Sequence, residues 1–154
     1  KSKPRLRRWK KRRRRDKTME TTNTSATERV KVAAAWWRKQ LEAPKFDNGV
    51  VLHGMMSALA SGPRPTPEQL DRFEVELAVL LTKETEDYDY CSVGCDYGPD
   101  RMLAEAAEKA GINVNGPTTF PWKTMMWIDK EGVRVSAGYG ACIQEIFKQA
   151  AAGE

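Results

Sequence analysis

The side chains that could carry chemistry fall in four places. The first is a sparse set of soft ligands: Cys91 and Cys95 stand four apart, Cys142 is distant, and His53 is the sole histidine. Zinc takes about four N or S ligands, so these four would complete a set. No paired-knuckle spacing supports that reading. Buried thiols in a reducing compartment are the plainer one. No metal or other cofactor is expected. His53 lies among apolar neighbours with Ser57 one turn beyond it, but no third orienting group and no nucleophile elbow accompany them. A Cys91 or Cys95 thiolate activated by His53 would make a Cys/His-dependent enzyme, the weakest of three functional readings. No constellation of named catalytic roles assembles, and the chain reads as non-enzymatic.

The second place is the turn Cys95-Asp96-Tyr97-Gly98-Pro99-Asp100. A strand-to-helix turn exposes backbone N–H groups that attract anions. Here Asp96 and Asp100 can occupy those donors themselves and repel phosphate. The dinucleotide and P-loop patterns are both missing. Helix capping is the expected role, with Pro99 at the first helical position, and two carboxylates are too few for a divalent cation.

The third is the amino-terminal run KSKPRLRRWKKRRRRDKT. Of 26 basic and 21 acidic residues in the chain, 12 and one fall within residues 1–18. That segment carries +11, and residues 19–154, with 14 basic and 20 acidic residues, carry −6. The overall pI of 9.2 thus belongs to an arm attached to an acidic body. Arg5, Arg7, Arg8, Lys10, Lys11, Arg12, Arg13, Arg14 and Arg15 can each neutralise a phosphate, releasing counterions and making affinity fall steeply with salt. Trp9 can stack on an exposed base. Like charges repel, so the arm is expected to stay disordered when free of a polyanion. The arm could instead be a localisation signal. Met19 also fits a start residue, which would make residues 1–18 upstream or vector-derived sequence.

The fourth is the segment TTFPWKTMMWIDKEGVRVSAGYGA. Alternation places Phe120, Trp122, Thr124, Met126 and Ile128 on one strand face and Pro121, Lys123, Met125 and Trp127 on the other. Both faces carry large apolar groups. Either both are covered, or the Trp127 face is a contact surface.

The elements that must position these groups follow from periodicity. Residues 19–25 read as a linker, and residues 26–154 as a single acidic domain. Ser25 and Glu28 have capping-box spacing, and Val30, Ala33, Ala34, Trp37 and Leu41 form one helical stripe over 26–42. A short second helix is expected around Val51–Leu59. Thr66, Pro67 and Gln69 form a strong helix start, with Leu70, Phe73, Leu77, Leu80 and Leu81 as the buried face to about residue 83. The acidic run 84–89 then reads as solvated. Tyr88–Cys95 reads as a strand. Met102, Leu103, Ala106 and Ala110 make a helix closed by Gly111. Thr119–Ile128 and Val133–Tyr139 form a hairpin through DKEG, and residues 141–151 a last helix. The expected fold is α+β in the order ααα-β-α-β-β-α, helices packed on a small sheet that includes a carboxy-terminal β-hairpin. No stretch approaches the roughly 18 apolar residues of a membrane span, and no secretory h-region is visible, so a cytoplasmic setting is expected.

Four blocks carry a resemblance: WWRKQL with KFDNG (36–49), CDYGPDRMLAEAAEKAGI (95–112), FPWKTMMWI (120–128) and SAGYGA (136–141). Over residues 28–147 the chain resembles a family of small uncharacterised proteins encoded by bacteriophages and related mobile elements. The resemblance assigns no activity and no residue. It implies a bacterial host cell and a class of proteins that bind and redirect host nucleic-acid machinery, defence complexes included.

Two main functions are expected from these residues. In the first, the chain is a nucleic-acid-associated accessory protein whose arm holds RNA or DNA and whose body contacts a protein partner. In the second, it is an inhibitor or adaptor whose acidic body blocks a basic nucleic-acid-binding surface. The residues marked for protein contact are Trp127, Met125, Lys123, Asp96, Asp100, Glu84, Glu86 and Asp87. No membrane partner is expected.

Overall fold

The computed structural model describes residues 27–42, 64–114 and 120–150. The chain forms helix α1 over 27–42, helix α2 over Pro67–Asp87 and strand β1 over Cys91–Cys95. Helix α3 follows over Arg101–Lys109, then strands β2 (Thr124–Asp129), β3 (Gly132–Ala137) and β4 (Gln144–Lys148). The sheet order is β1-β2-β3-β4, antiparallel throughout. The architecture is α+β. The helix expected around 51–59 lies outside the described residues.

Each helix presents one stripe to one core. Val30, Ala33, Ala34, Trp37 and Leu41 come from α1, Leu70, Phe73, Leu77 and Leu81 from α2, and Met102, Leu103, Ala106 and Ala107 from α3. These residues recur at three- and four-residue steps, the spacing that puts side chains on one helix face. Cys91, Val93, Cys95, Met126, Ile128, Val133 and Val135 supply the sheet side. Phe120 sits ahead of β2 and joins the layers, edge-on to Trp37 at 6.0 Å and tilted to Phe73 at 5.9 Å. The alternate strand residues Ser92, Met125, Trp127, Arg134 and Ser136 face away and are exposed or half-buried.

Local signals set the ends of the elements. Thr66 Oγ1 accepts from the Gln69 backbone N–H (3.2 Å), and Gln69 Oε1 accepts from the Thr66 N–H (3.0 Å), a complete capping box. Gly111 takes φ +73° after α3, a left-handed conformation that glycine adopts without penalty. Its carbonyl accepts from Gln69 Nε2 at 3.0 Å, which ties the end of α3 to the start of α2. Arg38 joins α1 to α2 through Asp71 (2.5 Å) and Glu74 (2.8 Å).

Five expectations need correction. The strand expected from Thr119 starts at Thr124, with Phe120–Lys123 in the turn before it. Helix α2 does not stop near residue 83 but runs through Glu84, Glu86 and Asp87, because backbone pairing continues to Tyr88 N–H on Glu84 O (2.9 Å). Strand β1 starts at Cys91, with Tyr88 and Tyr90 left exposed before it. Helix α3 starts at Arg101 with Asp100 as its cap, so Pro99 stands ahead of the helix, bridged to Cys95. The last helix is absent: residues 144–148 form β4 on the edge of β3. Its register shifts between Val133 and Arg134, so Val133 pairs Phe147 while Arg134 pairs Glu145, and Ile146 is the extra residue of a bulge.

Trp37 is fully buried, and its Nε1–H meets no acceptor among the described residues. A buried donor left without a partner costs about 1–3 kcal/mol. Trp37→Phe removes that donor along with some volume, and the two effects oppose. The expected net loss is below about 1.5 kcal/mol by urea denaturation. A loss above about 3 kcal/mol would show that ring volume alone decides the position.

Candidate functional site

The antiparallel order brings the carboxy ends of β1 and β3 and the amino ends of β2 and β4 to one end of the sheet. Three turns meet there: Asp96–Asp100 after β1, Phe120–Lys123 before β2, and Gly138–Ile143 between β3 and β4. Each brings an aromatic residue. Tyr97 meets Trp122 edge-on with ring centroids 5.5 Å apart, and Tyr97 and Tyr139 lie tilted at 6.5 Å. The Tyr139 hydroxyl donates to the Tyr97 hydroxyl at 2.9 Å. That bond pushes the Tyr139 phenol upward from its ordinary value.

Lys123 is the centre of this arrangement. Its ammonium pairs with the Asp96 carboxylate and stands 4.3 Å from the Tyr97 ring centroid and 6.0 Å from that of Tyr139. A cation over an aromatic face is attracted by the ring quadrupole. The hydrogen bond to Asp96, foremost, raises the Lys123 pKa, so the side chain stays charged. Its backbone has φ +53°, which a residue with a Cβ seldom adopts. Two hydrogen bonds hold it there: Lys123 N–H donates to Asp96 O (2.9 Å) and Gly138 N–H donates to Lys123 O (3.1 Å). Backbone in such conformations persists only where its surroundings fix it.

The other residues marked by the sequence are distributed as follows. Trp127 is half-buried on β2, in register with Ser92 and Arg134. Met125 is 40% exposed and lies over Gly94, whose lack of a Cβ makes room: an added Cβ would come within 2.8 Å of the Met125 sulfur. Asp100 is half-buried and bonded within the fold. Its Oδ1 accepts from Leu103 N–H (3.0 Å) and its Oδ2 from Gly94 N–H (2.8 Å), which locks α3 to β1. Glu84 is half-buried and paired with Arg101 at 3.2 Å. Glu86 and Asp87 are exposed in the last turn of α2. Arg5, Arg7, Arg8, Trp9, Lys10, Lys11 and Arg12–Arg15 lie outside the described residues, as do His53 and Ser57.

Cys91 and Cys95 are buried on the core face of β1, and desolvation, first, pushes both thiols up to about 11. A nucleophilic thiolate needs the opposite environment, so neither thiol is primed for attack. Cys142 is exposed. Among the described residues, no group of three or more His, Cys, Asp or Glu side chains is placed to hold a metal ion. No helix among them is long and apolar enough to cross a membrane.

The aromatic end itself escapes a reading by elements, because its members come from three separate turns. A signal was present: CDYGPD, FPWK and SAGYGA each set one aromatic among turn-forming residues. The exposed Val75 and Val79, on the solvent side of α2, were likewise missed. A scan against protein-family models and a search of the curated proteins find no match to the chain.

Proposed function

We propose that this chain is a nucleic-acid-associated accessory protein, in which residues 1–18 hold phosphates and the folded body makes protein contacts. One observation carries the reading: positive and negative charge are segregated. The arm has 12 basic residues, while α2 alone displays Glu68, Asp71, Glu74, Glu76, Glu84, Glu86 and Asp87. A phosphate backbone is repelled from such a helix, so phosphate affinity must reside in the arm. On the body, Trp127 and Met125 point away from the core and suit an apolar contact with a partner.

The salt dependence of binding tests this. Each phosphate neutralised contributes about −0.9 to the slope of log affinity against log salt on duplex DNA. In the full chain, replacing Arg12, Arg13, Arg14 and Arg15 together by Gln should make that slope shallower by about 3.6. Identical slopes for wild type and variant would remove the arm from the account.

A second reading has one observation in its favour. Val75 and Val79 are 61% and 58% exposed in the middle of the acidic helix. An apolar pair on a predominantly acidic helix complements a basic groove with an apolar floor. An inhibitor or adaptor of that kind keeps its activity when the four arginines are replaced, and added nucleic acid displaces it from its partner. The accessory protein loses its activity with the arginines.

A further inference from the structure

We propose that the aromatic end of the sheet seats the unstacked bases of a single-stranded nucleic acid, on the open ring surfaces of Tyr97 and Tyr139. The inference rests on the nucleic-acid reading above and adds a discriminating site to it. Tyr97 and Tyr139 are 57% and 60% exposed, which leaves ring surface open to a ligand. The Lys123 ammonium stands over the Tyr97 ring, and Trp122 meets that ring edge-on at 5.5 Å. The hydroxyl bond between the tyrosines fixes one ring relative to the other. Rings held rigidly in advance lose little conformational freedom on stacking.

The occupant follows from charge. The body has a net negative charge and cannot add phosphate contacts to those of the arm. Every base offers a π-face for stacking, and the positive charge that accompanies stacking in single-strand binders comes here from the arm. At this end the Asp96 carboxylate is paired with Lys123, which offsets its charge beside the rings. Arm and end then divide the work. Phosphate contacts hold duplex and single strand alike, whereas tyrosine stacking requires bases that are already unstacked.

The test compares one oligonucleotide with its own duplex, using the full chain at fixed salt. Wild type should prefer the single strand. Tyr97→Leu with Tyr139→Leu should weaken single-strand binding by about 5-fold or more for each stacked base, with duplex affinity and salt slope unchanged. Tyr97→Phe with Tyr139→Phe keeps both rings and should keep the preference. Single-strand preference that survives the double Leu substitution, or that is lacking in wild type, overturns the aromatic seat and leaves the arm's role intact. A salt slope indifferent to the Arg12–Arg15 substitutions overturns the nucleic-acid reading itself. Loss of a protein partner in the double Leu variant, with both nucleic-acid affinities kept, assigns this end to protein contact and likewise overturns the proposal.

Discussion

Asp100→Ala is expected to destabilise the fold by about 3 kcal/mol in urea denaturation, combining a lost helix cap with a lost charge-assisted hydrogen bond. The two oxygens act on different elements. Oδ1 satisfies Leu103 N–H in the first turn of α3, and Oδ2 satisfies Gly94 N–H inside β1. A second bond runs the other way, from Asp100 N–H to Gly94 O at 2.9 Å. Alanine leaves two half-buried donors without their acceptor. Asparagine is the discriminating control: its carbonyl keeps the cap, but its amide turns a donor toward the Gly94 N–H. Asp100→Asn should therefore retain α3 and lose roughly half of the total. If alanine costs less than about 1 kcal/mol, water replaces the carboxylate and the tie between α3 and β1 is unimportant.

The same carboxylate gives a pH signature. Burial pushes Asp100 above its ordinary value, outweighing the backbone N–H bonds that favour the charged form. The folded chain then holds that proton to higher pH than the unfolded chain does. The stability this contributes is complete below the unfolded value of 3.8 and is lost as pH rises through the raised folded value. Asp100→Asn cannot titrate there. Wild type should lose ground against this variant as pH rises above 3.8. A stability gap that is flat over that range contradicts the burial.

What the sequence could reveal depended on whether the cause was local. The start of α2 needs only Thr66, Pro67 and Gln69, which lie within four residues of each other, and the capping box forms from them. The core stripe from Leu70 to Leu81 is legible for the same reason, since a helix fixes its own periodicity. The carboxy terminus is different. Ile143, Ile146 and Phe147 sit at helical spacing, and nothing in QEIFK announces a strand. The bulge opposite Val133 and Arg134 lets Ile146 and Phe147 be half-buried side by side, which erases the alternation by which a strand is read. Asp100 was legible as a cap because Leu103 is three residues on. Its bond to Gly94 was not, because that donor is set by the path of the intervening turn. The aromatic end is the extreme case: Tyr97, Trp122 and Tyr139 become neighbours through the order of the strands alone.

Gly132→Ala is expected to detach β4 and lower stability by about 3 kcal/mol, through strain at a backbone angle alanine avoids and through lost ladder bonds. Gly132 closes the β2–β3 hairpin, where Asp129 Oδ1 accepts from Glu131 N–H (2.9 Å) and Gly132 N–H (3.2 Å). Its φ is +151°, and an added Cβ would lie 2.0 Å from Phe147 O. That atom is backbone of β4, so no side-chain rotation relieves the contact. Either the hairpin or β4 must move. The hairpin is held by six paired positions between β2 and β3, and its β2 strand is also paired with β1. Strand β4 pairs on one edge alone, through a ladder already broken by a bulge, so it is the element that yields. Hydrogen exchange should therefore accelerate at residues 144–148 while the amides of β1 and β2 stay protected. Gly98→Ala is the matched control, since no atom lies within 4 Å of its added Cβ. Equal protection of β4 in wild type and Gly132→Ala would mean that the hairpin absorbs the methyl group, and that the edge strand is bound more tightly than its single ladder implies.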